Sequence, residues 1–214
     1  MRHAACIFDL DGTLIDSEVL WVAAGVAFLQ GEGCAVTHAE AQALIYGRSW
    51  RDIHPEIVRR YPALRMDEPT MTARMRKHYV RLRGSTDIVI ASSVRLLRRL
   101  AAHRPVCVVS GSARADVRAG LELAGVERHI AFFLAAEDYS PGKPDPTCFR
   151  LAAQRLSVRP EQCLVFEDSS AGVAAAKAAG MTCVALVRDG RPRQDVAGAD
   201  RIVADLSELD ETAL

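Results

Sequence analysis

The sequence predicts an α/β fold: a parallel sheet core with helices on both faces, interrupted after its first strand by an inserted bundle of helices. Three observations predict it. Short apolar runs alternate with amphipathic stretches over most of the chain. Those runs are apolar throughout, as strands buried on both faces are, with no polar alternation. One long segment, 17–85, carries helical signals and no strand signal.

Residues 4–8 (AACIF) form the first buried strand, stopped by the glycine turn of DLDGT. Ser17 is placed to cap a helix running to Gln30, where Gly31 and Gly33 stop it. Thr37 opens a second helix, with Glu40 three residues on in the pattern of a capping box. Ser49–Tyr61 makes a third, with Pro55 early in it and Pro62 at its end, and Glu68–Leu82 a fourth. Four helices on short joints predict a small bundle. The pattern changes after Gly84. SSVRLLRRLAAH is an amphipathic helix and PVCVVS (105–110) a β-branched strand. Ser112–Gly125 is a helix closed by its glycine. IAFFLAA (130–136), CLVF (163–166) and TCVALV (182–187) are strands, separated by helices at Pro146–Leu156 and Ser169–Ala179. RIVA (201–204) fits an edge strand. The core is therefore 1–16 with 86–214, and the inserted domain 17–85.

Composition narrows the function. The 214 residues carry 27 basic and 27 acidic side chains and are 50% hydrophobic, enough for a core without a disulfide or metal staple. No apolar run approaches the roughly 20 residues that cross a bilayer. The N-terminus MRHAACIFDLDG meets acids too early for a secretory signal. A cytoplasmic protein without a membrane partner is expected. The neutral balance opposes nucleic-acid binding. Residues 48–83 do hold ten basic side chains against four acids, but charge runs on helices are usually solvated faces. The six cysteines show no CxxC or zinc-like spacing, so buried, reduced thiols are expected.

The chemistry gathers in four segments that each follow a predicted strand: DLDGT (9–13), SGS (110–112), PGKPDP (141–146) and FEDSSAG (166–172). The carboxyl ends of parallel strands share one rim, where ligands bind. Asp9 and Asp11, two apart, project to one side if the strand continues through them. Glu167 and Asp168 bring four acids to that rim, which repel unless a cation or a shared proton intervenes. Hard oxygen ligands without any imidazole suit Mg²⁺ rather than zinc. Lys143, one of three lysines in the chain, and the Ser110 hydroxyl face the acids. Carboxylates for a metal together with a lysine for an anion suit a phosphoryl group. Ser112 is better placed than Ser110 to cap the following helix. Asp145 either assists Lys143 or starts a helix. Gly12, Gly111 and Gly142 read as backbone requirements.

These segments, with DSE (16–18) after DLDGT, resemble the four motifs of the haloacid-dehalogenase-like superfamily. More narrowly they resemble its branch of β-phosphoglucomutase-like enzymes and small-molecule phosphatases with a helical, C1-type cap. The motifs run in order from Asp9 to Gly172, with the insertion where that family has its cap. The resemblance implies a Rossmann-like core. It implies Asp9 as nucleophile, forming an aspartyl-phosphate, and Asp11 as general acid and then base. Mg²⁺ would be held by the Asp9 carboxylate, the Asp11 carbonyl and Asp168, with Glu167 as ligand or support. Ser110 and Lys143 would hold phosphoryl oxygens, beside Gly12, Thr13 and Gly111. In the cap, Arg48 lies in YGRS, like the family's short segment over the site, and Trp21 on the first cap helix could stack on substrate.

The implied partner is a small phosphate ester, and the implied state a monomer or weak homodimer. Hydrolysis competes with a phosphosugar mutase and with a non-enzymatic, receiver-like phospho-acceptor. Mutases carry a histidine on the first cap helix, and none lies between His3 and His38 here. The arginine after their cap loop falls on Trp50. Asp11 counts against a receiver, because an acid/base would discharge the signal. Where the family carries a Pro-Gly turn before its second core helix, this chain reads DIVIASSV (87–94).

Overall fold

The computed structural model describes residues 3–46, 48 and 50–210. Two compact units emerge, one formed by residues up to Ile15 and from Val89 onward, the other by Asp16–Ile88.

The first unit is built on six parallel strands: β1 (Ala5–Phe8), β2 (Val106–Val109), β3 (Phe132–Leu134), β4 (Cys163–Glu167), β5 (Thr182–Leu186) and β6 (Arg201–Val203). Their order is β3-β2-β1-β4-β5-β6. Every residue of β1, β2 and β4 is buried, which is why these stretches read as unbroken apolar runs. Helices α5 (Ala91–Ala101), α6 (Arg114–Ala124), α7 (Thr147–Leu156) and α8 (Ser170–Ala178) cover both faces of the sheet. Alternation along the strands sorts the packing. Ile7 and Val165 join Phe149 and Ala152 of α7 and Val173 and Ala176 of α8 in one core. Phe8 and Phe166 stack on each other, ring centroids 4.3 Å apart. Gly125 ends α6 with φ of 61°, a left-handed turn that suits glycine. No cysteine forms a disulfide. Burial pushes Cys6 and Cys183 up to about 12, so these thiols stay protonated.

The second unit holds α1 (Ser17–Gly31), α2 (His38–Ile45), α3 (Trp50–Arg60) and α4 (Glu68–Arg83). Phe28, Leu44, Ile45, Ile57, Met71 and Met75 form its core. The capping box is present: the Thr37 hydroxyl accepts from the Glu40 amide, and the Glu40 carboxylate accepts from the Thr37 amide at 2.8 Å. The expected Ser17 cap is not. Ser17 is the first helical residue, it is buried, and Asp16 precedes it without a capping bond. The expected start of α3 at Ser49 lies outside the described residues. Among the described residues, no helix is long and apolar enough to cross a membrane.

Candidate active site

The sheet order reverses direction at β1 and β4, because the chain leaves β1 for β2 on one side and returns to β4 on the other. Such a switch point opens a crevice at the carboxyl ends of the strands. β1 stops at Phe8, and the Asp9 amide adds one last bond to the Phe166 carbonyl at 2.9 Å. The chain then turns through Gly12 at φ 92°. The condition that would align Asp9 and Asp11 therefore fails. The strand does not continue, and their carboxylates find different partners.

Asp9 is buried, and its Oδ1 accepts from Lys143 Nζ at 2.7 Å. The same ammonium donates to Glu167 Oε1 at 2.6 Å and to the Val109 carbonyl at 3.3 Å, which uses all three of its protons. It also lies 5.2 Å from the centre of the Phe149 ring. Burial pushes the Asp9 carboxyl well above the usual carboxylate range; Lys143 pulls it back, while Glu167 and Asp11 push further. Burial would likewise discharge Lys143, but Asp9 and Glu167 outweigh it and keep the ammonium charged.

Glu167 is fully buried, and both of its oxygens are hydrogen-bonded. Besides Lys143 on Oε1, its Oε2 accepts from the Asp168 amide (2.8 Å), the Ser169 amide (2.9 Å) and the Ser169 hydroxyl (2.9 Å). Gly172 makes the room: a Cβ there would sit 1.7 Å from Oε1 and 1.9 Å from the carboxyl carbon. Gly12 does the same for Asp168, whose Oδ2 would be 2.0 Å from an added Cβ. The buried Thr13 hydroxyl donates to Asp168 Oδ1 at 3.3 Å. Gly12 and Thr13 thus meet the acidic side of the site.

Asp9, Glu167 and Asp168 bring one carboxylate oxygen each to within 4.8 Å of one another. Asp9 Oδ2 is buried with no hydrogen-bond partner among the described residues, which ordinarily costs about 1–3 kcal/mol. Three carboxylates against one lysine leave surplus negative charge. The donor set fits a divalent cation that prefers oxygen ligands.

Asp11 belongs to a second group. Its Oδ2 accepts from the Ser110 and Ser112 hydroxyls, both at 2.8 Å. Ser110 is buried, accepts from the Ser112 amide at 3.0 Å, and its carbonyl receives the Tyr139 hydroxyl at 2.9 Å. Ser112 does not cap the next helix as expected. α6 begins two residues later at Arg114, whose amide is taken by the Glu137 carboxylate at 2.9 Å. Asp145 resolves as a helix start, accepting from the Thr147 amide and hydroxyl. Gly111 and Gly142 have open space where a Cβ would go, so of Gly12, Gly111 and Gly142 only Gly12 is required by conformation. Tyr139 carries no sequence signal, since nothing local marks a tyrosine that reaches a carbonyl 29 residues away.

The two cap candidates have partners inside the helical unit. Trp21 stacks on Tyr79, centroids 4.1 Å apart, and packs on that unit's core. Arg48 Nη1 donates to Glu56 at 2.6 Å and to the Leu44 carbonyl at 3.2 Å.

A carboxylate cluster fit for a metal, bridged by a buried lysine, thus stands at the switch point of a doubly wound α/β sheet. Residues 3–180 match the haloacid dehalogenase-like hydrolase family, and the chain belongs to it. It is 33% identical over 183 residues to the fructose-1-phosphate phosphatase YqaB of Escherichia coli (strain K12), covering 86% of this chain and 96% of the relative. It is 29% identical over 208 residues to the validoxylamine A 7'-phosphate phosphatase of Streptomyces hygroscopicus subsp. limoneus, covering 97% and 96%. Among solved structures, CbbY from Rhodobacter sphaeroides in complex with phosphate superposes with a TM-score of 0.81 at 24% identity, covering 97% of this chain and 96% of that one. At that identity the likeness speaks for the fold.

Proposed function

We propose that the protein is a Mg²⁺-dependent phosphatase of small phosphomonoesters, sugar or other metabolite phosphates, working through an aspartyl-phosphate on Asp9. The observation that carries this reading is the Asp9 carboxylate: Oδ1 is anchored by Lys143, while Oδ2 is buried without a donor among the described residues. An Asp9 oxygen attacks phosphorus, the bond from phosphorus to the alcohol oxygen breaks, and Asp11 gives its proton to the departing oxygen. Asp11, now a carboxylate, takes a proton from water. The water oxygen attacks phosphorus, the bond to Asp9 breaks, and phosphate leaves. The Ser110 hydroxyl holds one phosphoryl oxygen, with Gly111 beside it, Lys143 turns the proton now on the Val109 carbonyl at 3.3 Å to another, and fixed charge supplies most of the acceleration. Asp9, Asp168 and the Asp11 carbonyl would hold Mg²⁺, which offsets phosphoryl charge, and Glu167 seats the turn that carries Asp168.

Two observations favour hydrolysis over the mutase reaction: the near full-length relatives above are phosphatases, and α1 (Ser17–Gly31) contains no histidine. The test is phosphate release from some dozens of phosphate esters with Mg²⁺, repeated with a chelator. Release from sugar phosphates that stops on chelation is expected. Conversion of β-glucose 1-phosphate to glucose 6-phosphate overturns it in favour of a mutase. No release from any ester, with a lasting acyl-phosphate after acetyl phosphate treatment, overturns it in favour of a receiver.

A further inference from the structure

Ser110, Ser112 and Asp11 form a closed set of hydrogen bonds. The Ser112 amide donates to Ser110 Oγ at 3.0 Å, Ser110 Oγ donates to Asp11 Oδ2 at 2.8 Å, and Ser112 Oγ donates to that same oxygen at 2.8 Å. A serine hydroxyl has one proton to give. If Ser110 directs that proton to a phosphoryl oxygen, it must withdraw it from Asp11. The Ser112 hydroxyl has no such competing duty, and its own backbone is fixed by the bond from the Ala136 amide to the Ser112 carbonyl at 3.0 Å.

We propose that Ser112 is a positioning residue for Asp11: its hydroxyl holds the Asp11 carboxyl in place once the phosphoryl group has engaged Ser110. Gly111 is exposed and Ser112 half-buried.

This inference rests on the acid/base role given to Asp11 above, and the test separates the two. A nitrophenolate leaves without protonation, whereas an alkoxide needs the proton. The assay reads kcat/KM, which covers the steps through departure of the alcohol, for p-nitrophenyl phosphate and for an alkyl phosphate. Ser112→Ala is expected to lose about tenfold or more on the alkyl ester and under about threefold on the aryl ester, a part of the full acid/base contribution. Ser112→Thr, which keeps a hydroxyl, should recover most of the alkyl activity. In an Asp11→Asn background, Ser112→Ala should add nothing further. Equal losses on both esters, no loss on either, or independent losses in the double variant would overturn the proposal. If Asp11→Asn itself leaves alkyl turnover intact, the acid/base role fails. If Asp11→Asn is impaired and Ser112→Ala is not, only the role of Ser112 fails. Thermal unfolding of each variant accompanies the kinetics. Should Ser112→Ala not fold, Ser112→Cys carries the same comparison, because a thiol is a weak donor.

Discussion

Substituting alanine for Gly172 adds one carbon at the tightest point of the site. The new Cβ would lie 1.7 Å from Glu167 Oε1, 1.9 Å from the carboxyl carbon and 2.4 Å from Oε2. No carboxyl rotation clears all three contacts, so the group must leave its seat. That seat supplies four donors: Lys143 Nζ, the Asp168 and Ser169 amides and the Ser169 hydroxyl. Hydrogen bonds to a charged group contribute about 1.5–3 kcal/mol each, so losing two costs about 3–6 kcal/mol. Alanine in a helix returns about 1 kcal/mol relative to glycine. Gly172→Ala should therefore destabilise by about 2–5 kcal/mol, measured by urea unfolding, and should also disorder the turn bearing Asp168 and cut phosphate release. Gly31→Ala is the control, because a Cβ there meets nothing within 4 Å and the change should be neutral or slightly stabilising. A Gly172→Ala protein as stable and active as the parent would refute the described seating of Glu167.

Two further expectations rest on the charged groups. Lys143→Met leaves the buried Asp9 and Glu167 carboxylates facing each other and should cost about 3–5 kcal/mol, part of it recovered by added Mg²⁺. Unfolding with and without the metal checks this, and unchanged stability would contradict it. Burial pushes the Asp138 carboxyl up, but the Ala135 amide and Arg114 outweigh it and hold the group below its ordinary 3.8. Its contribution is present above 3.8 and lost as the pH falls through the lower folded value, so stability should fall as the pH drops below 3.8. Urea titrations at about pH 5 and about pH 3 should show a shallower drop for Asp138→Asn than for the parent. An equal drop in both would count against the pairing.

The fold was legible because each strand is a buried apolar run between turn residues, and the capping box at Thr37 and Glu40 is a purely local device. The four motifs were legible for a related reason: strand, turn and polar cluster are contiguous in sequence, and the parallel sheet does the gathering. What escaped depends on partners far along the chain. Ser112 looked like a helix cap, but Asp11, 101 residues away, takes its hydroxyl, and Glu137 takes the amide a cap would serve. The spacing of Asp9 and Asp11 implied a shared face, and the early end of β1 undid that. Tyr139 carries no local mark at all.

The central claim is that Asp9 takes the phosphoryl group covalently. A single-turnover reaction with radiolabelled ester, quenched in acid and mapped by peptide, tests it most directly. Label on the peptide containing Asp9, released by hydroxylamine and missing from Asp9→Asn, is the predicted result. Label on another residue, or near-parental turnover by Asp9→Asn, would contradict it.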